Sequence, residues 1–139
     1  MSPKQENSRL IPVTLWVAQS ISASSLVWSG WIKMFQAAGE VAAMWPWAGE
    51  VPAALLKFTG AADLLAAAGL ILPVLFSIRP RLTPIAAVAV IIMMICAAVF
   101  HITRGEASQI GINIVFAFIA AFIAWGRFRE TPLGLKSEK

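Results

Sequence analysis

Four apolar runs, at residues 13–35, 53–76, 83–101 and 109–125, divide this chain, and each is long enough to cross a bilayer. Roughly 17–24 residues at a rise of about 1.5 Å match a hydrocarbon core about 30 Å thick. The runs are continuous rather than alternating in ten-residue units, which predicts helices and argues against barrel strands. The predicted fold is therefore all-α. It is a four-transmembrane-helix bundle, antiparallel and up-down, forming a single integral membrane domain over 1–139.

The composition leaves little room for a soluble alternative. The chain is 59% hydrophobic and 13% charged, against about 45–50% and about 25% in ordinary globular domains. With a mean hydropathy of +0.78 at 14.9 kDa, one core could not hide that much apolar surface, so much of it must face lipid. The polar segment 1–12 precedes a run longer than a signal-peptide core, and three more runs follow, which predicts an uncleaved first helix. Pro52 introduces the second helix, and Thr83-Pro84 reads as an N-cap with proline at the first helical position. Pro73 falls in the last turns of the second helix, where it bends or ends it.

The net charge of +4 does not mark a nucleic-acid binder, because the basic residues flank apolar runs instead of forming a patch among exposed aromatics. Lys4, Arg9, Arg79, Arg81, Arg127, Arg129, Lys136 and Lys139 fall on one side, and Lys33, Lys57 and Arg104 on the other. The positive-inside rule then predicts a multi-pass protein of the cytoplasmic (inner) membrane with both termini cytoplasmic. The loop 36–51 is external. Its Met44-Trp45-Pro46-Trp47 reads as a pair of interfacial anchors, the alternative being a short interfacial helix or a flap over the bundle.

Chemistry must come from the polar residues inside the runs. Asp63 stands ten residues into the second run, and a carboxylate in hydrocarbon is expensive enough to raise a functional hypothesis. Gln19, Ser22, Leu26, Ser29 and Lys33 share one face of the first helix, and Thr59, Gly60, Asp63, Ala66 and Ala67 share one face of the second. Helix geometry sets Asp63 about 15 Å from the outer end, level with residues 22–29. Lys33, Thr59, Asp63, His101 and Asn113 then form a candidate ligand-binding constellation in the outer half, while Gln19 is the strongly polar group of the inner half. Each member has a plainer reading: Asp63 bonded to serines of the first helix, Lys33 snorkelling to the boundary, His101 in local hydrogen bonds, and Asn113 as interhelical glue.

Other chemistries are poorly served. One cysteine excludes an internal disulfide or CxxC pair, and Cys96 reads as a small buried hydrophobe. With one histidine and one cysteine, a haem or metal site made by this chain alone is disfavoured, and no catalytic residue is assigned. An enzyme acting alone is accordingly disfavoured.

In its local motifs the chain resembles the DoxX-like family of small four-helix membrane proteins. Gly30-Trp31-Ile32-Lys33 is similar to the Gly-x-x-Lys close of that family's first helix, and KFTGAADLLAAAGLILP at 57–73 to its acidic, glycine-punctuated second helix. His101 with Arg104-Gly105-Glu106, and Gly126-Arg127, resemble the closes of the third and fourth. The family usually carries glutamate where this chain has Asp63. The resemblance implies association with quinol oxidation and redox assemblies. The expectation is an accessory, redox-associated subunit whose outer-half polar pocket takes a quinone-like or small amphipathic ligand, with a redox protein or further copies of the chain as partners. The alternatives are a small proton-coupled transporter and a purely structural scaffold.

Overall fold

The computed structural model describes residues 3–130, save the side chains of residues 4–9. The side chains of Lys4 and Arg9 and the tail with Lys136 and Lys139, used above for orientation, lie outside the described residues. The helices are α1 (Pro3–Phe35), α2 (Ala38–Met44), α3 (Ala53–Leu75), α4 (Leu82–Thr103) and α5 (Gly111–Glu130). Short 3-10 turns occupy Pro46–Gly49 and Ala107–Gln109, and there is no strand among the described residues. Four helices are long and apolar enough to span a membrane: Leu10–Phe35 within α1, together with α3, α4 and α5. The first helix begins ahead of its apolar run, with Pro3 at its first turn, where a missing N–H costs nothing, and it takes in Pro12.

The four long helices close a ring: α1 meets α3 and α5, and α4 meets α3 and α5. Small and branched residues fill the interior, among them Ala23, Leu26, Ala66, Leu70, Val90 and Ile123. The outward faces keep large apolar side chains such as Phe58, Leu65 and Phe118, each more than two-thirds exposed, as lipid contact requires. α1 and α3 pack tightly at Gly30 and Gly60. A Cβ on Gly30 would lie 2.8 Å from the Gly60 carbonyl oxygen and 2.8 Å from Leu64 Cγ. Small residues at such a crossing let two backbones touch, and that contact sets the spacing of the side chains beside it.

Pro73 explains a polar link between α3 and α4. It cannot donate to the carbonyl of Gly69, four residues earlier, and in hydrocarbon that oxygen needs another partner. Thr83 Oγ1 donates to it at 3.1 Å. Thr83 is therefore not the N-cap expected of it: α4 starts at Leu82, with Arg81 at the cap position, and the buried hydroxyl serves α3 instead. Cys96 also departs from expectation. It is exposed on α4, the least enclosed of the spans, where an apolar thiol suits lipid as well as a core.

Between α1 and α3 the chain folds over one end of the bundle. Ile32, Val41, Ala48 and Leu56 form a small second core, with Trp45, Trp47 and Val51 packed against it. Both tryptophans are half-buried and packed against this core, in a segment that contains a short helix and lies over the bundle end as a flap would.

Candidate functional site

The buried stripe of α1 turns its polar members toward α3. The Gly30–Gly60 crossing brings the helices close enough for short side chains to meet. Asp63, 3% exposed, accepts a hydrogen bond from Ser29 Oγ at 2.8 Å and one from Lys33 Nζ at 2.8 Å, both on Oδ2. Lys33 thus directs its ammonium inward. One turn of α1 separates Ser29 from Lys33, so both reach a single oxygen of one carboxylate.

A roof of indoles covers the pair. Lys33 Nζ lies 5.9 Å from the ring centroids of both Trp45 and Trp47, within cation–π range. The two rings stack at 6.4 Å, and Trp28 meets Trp45 edge-on at 5.6 Å. Trp28 is also a wall of an open groove of about 690 Å³ between α1 and α3, lined by Val27, Trp31, Leu64, Ile71 and Leu72 among others. One indole therefore separates an apolar groove from the roof of a buried ion pair.

His101 belongs to a neighbouring network. α4 ends in a Schellman turn: Gly105 takes φ +74°, the Glu106 amide donates to the His101 carbonyl at 2.8 Å, and the Gly105 amide donates to the Ile102 carbonyl at 3.0 Å. A left-handed residue at that point is what glycine supplies without strain. The reversal folds Glu106 back, so that its Oε2 lies 2.8 Å from His101 Nδ1. Arg104 donates to both oxygens of Glu106 and to Glu50 of the cap. The His101 hydrogen bond, and then that of Arg104, hold the Glu106 carboxyl below the usual carboxylate range. Hydrogen bonds to Glu50 and then Glu106 raise the Arg104 guanidinium above its ordinary value. Trp47 stands between the networks, edge-on to His101 at 6.3 Å and within reach of Lys33.

The five residues singled out from sequence therefore separate. Lys33 and Asp63 touch, and His101 lies across Trp47 from them. Thr59 donates to the Leu56 carbonyl of its own helix. Asn113 is buried on α5, and its Nδ2 has no hydrogen-bond partner; nor has the buried Ser22 hydroxyl. Trp45, Trp47, Glu50, Arg104 and Glu106 complete the surroundings, yet none was among the sequence candidates. The signal for Glu106 was present in His101 with Arg104-Gly105-Glu106, where glycine at a helix end implies a reversal.

A second polar knot sits at the opposite end. Gln19 donates from Nε2 to the Leu70 carbonyl of α3 and accepts from Arg127 Nε at 2.6 Å. Arg127 is 4% exposed, lies over the Trp16 ring at 5.2 Å and pairs with Glu130 at 2.7 Å. From sequence it counts as a topological charge and as part of the Gly126-Arg127 close of the last helix, not as a buried group. Its clue was Gln19, a buried amide that needs partners at its own depth.

Among the described residues no cluster of three or more histidine, cysteine or acidic groups is arranged for a metal. What the Lys33 end offers is a charged donor, a buried carboxylate and flat aromatic surfaces, which together suit a polar head on an apolar body. No curated protein and no solved structure matches the chain. The profile of the DoxX-like family matches residues 17–123, most of the chain, and the protein belongs to that family.

Proposed function

We propose that this DoxX-like multi-pass membrane protein is a non-catalytic, redox-associated subunit that binds the head of a quinone-like amphiphile at its Lys33 end. The observation that carries this reading is the buried Lys33–Asp63–Ser29 cluster, roofed by Trp45 and Trp47 and adjoining the groove at Trp28. An ammonium has three N–H groups, and Asp63 takes one of them. The others suit a carbonyl oxygen, the indoles suit a planar ring, and the groove suits an apolar tail. A head released as a hydroxyl finds an acceptor in Asp63. Electron transfer itself belongs to a partner redox protein in this reading.

The bundle is taken as one antiparallel up-down domain of the inner membrane. Pairings along α1 and α3 support the antiparallel sense, since Gln19 meets Leu70 while Lys33 meets Asp63. Arg79, Arg81, Arg127 and Arg129 gather at the other end from Lys33, which supports cytoplasmic termini and an outer-half site.

The test is native mass spectrometry with a tryptophan-quenching titration, using a short-chain benzoquinone and the full chain in lipid nanodiscs. One quinone per chain is expected, with affinity falling about tenfold or more in Asp63→Asn and Lys33→Met. If both variants lose stability while the folded protein shows no quinone binding, the cluster is interhelical glue and the ligand reading is wrong.

A further inference from the structure

The cap is tied to the two halves of the bundle by different forces. On the α1–α3 side, Val41 and Ala48 bury against Ile32 and Leu56, an apolar contact that charge screening does not weaken. Toward α4 it meets Trp47 against Phe100 and His101, and Glu50 against Arg104. These charges are open to solvent to different degrees: the Glu50 side chain is 59% exposed, Arg104 23% and Glu106 26%. Exposed ion pairs are weak and screened by salt, so this edge is the easier one to release.

We propose that residues 38–51 form a lid over the Lys33–Asp63 pair, hinged on the α1–α3 side and latched to α4 by the Glu50–Arg104–Glu106–His101 network. The latch has a defined construction. Gly105 turns Glu106 back onto His101, and Glu106 then presents both oxygens to Arg104. Arg104 is thereby fixed where Glu50 reaches it, and Glu50 stands directly after the 3-10 turn that carries Trp47. Release at Glu50 loosens Trp47 from Phe100 and His101, and because Trp45 and Trp47 belong to the same segment, its lifting uncovers Lys33. The consequence is an aqueous route to a carboxylate that is otherwise 3% exposed. The charged groups bearing on His101 are Glu106 directly, Arg104 and Glu50 through it, and Lys33 with Asp63 beyond Trp47. As regulation of access to the proposed ligand site, the lid rests on that reading; as a moving segment, it does not.

Hydrogen exchange read by mass spectrometry on the full chain in nanodiscs tests it, with no quinone present. Glu50→Gln and Arg104→Gln should each speed exchange of the amides in 38–51 about tenfold or more, leaving α3 and α5 unchanged. Glu40→Gln, on the exposed face of the same cap, should have no effect. Raised salt should speed the same amides in the wild type and add little in the two latch variants. Unchanged exchange in 38–51, or acceleration spread equally over α3 and α5, overturns the lid. A lid that opens in a protein that binds no quinone leaves this inference standing and removes the proposed ligand. Quinone binding beneath a cap indifferent to Glu50 and Arg104 does the reverse.

Discussion

Breaking the Lys33–Asp63 pair from either side should cost different amounts, and removing both partners should cost least. The side chains are 13% and 5% exposed, which places the pair in the buried regime, where an orphaned charge dominates, rather than the surface regime of about 0–1 kcal/mol. Lys33→Met leaves Asp63 with Ser29 alone. The carboxylate is short and enclosed, so the expected loss is about 3–5 kcal/mol. Met keeps the stem that packs on Gly60, so packing is little disturbed. Asp63→Asn strands an ammonium on a four-carbon stem near the bundle end, which can swing outward, and the loss should fall to about 2–3 kcal/mol. The double variant Lys33→Met/Asp63→Asn carries no buried charge and should return to within about 1–2 kcal/mol of the wild type. Reversible unfolding in mixed micelles, followed by far-UV circular dichroism, gives the four free energies of the cycle. A coupling of about 2 kcal/mol or more is expected. Additive losses would refute a direct buried pair, and a costlier Asp63→Asn would refute the escape route assigned to Lys33.

Two further outcomes follow from geometry. Gly30→Ala sets a methyl 2.8 Å from the Gly60 carbonyl, and backbone cannot yield as a side chain does. A loss of about 1–3 kcal/mol is expected, with the pair at Ser29 and Lys33 loosened and quinone affinity reduced; unchanged stability would show the helices are not in contact there. The second concerns pH. Glu106 is held below its ordinary value of 4.5 by His101 and Arg104, so its contribution to the latch is complete above that value and disappears as pH falls through the lower folded-state value. The chain has one histidine, so its ring proton resonances in the untagged protein report the pair without ambiguity. They should show a step below pH 4.5 that Glu106→Gln abolishes; a step that survives the substitution would assign the titration elsewhere.

The stripes of α1 and α3 were readable because a polar residue in an apolar run must face inward, and the spacing names the face. Gln19, Ser22 and Asp63 are buried as that rule requires. Roles were harder to read than faces. Thr83 looks like a cap in one dimension, yet Pro73 in the neighbouring helix frees a carbonyl that claims it. Arg127 looks like a topology signal, yet Gln19 draws it inside the bundle. Asn113 lies on the buried side of α5 without contacting Asp63 or Lys33 by hydrogen bond.

By itself, then, the chain determines that it is helical, membrane-spanning and polar along particular inward faces, because run length and periodicity act locally and lipid tolerates few alternatives. Which polar groups meet was decided by tertiary structure. The Gly30–Gly60 approach aligns Ser29 and Lys33 with one oxygen of Asp63. The reversal at Gly105 joins His101 to Glu106, and the folding of 38–51 sets two indoles above Lys33. Those pairings depend on helix rotation, crossing point and the path of a loop. A shift of a few ångströms in any of them makes or breaks a hydrogen bond while leaving the hydrophobic pattern untouched.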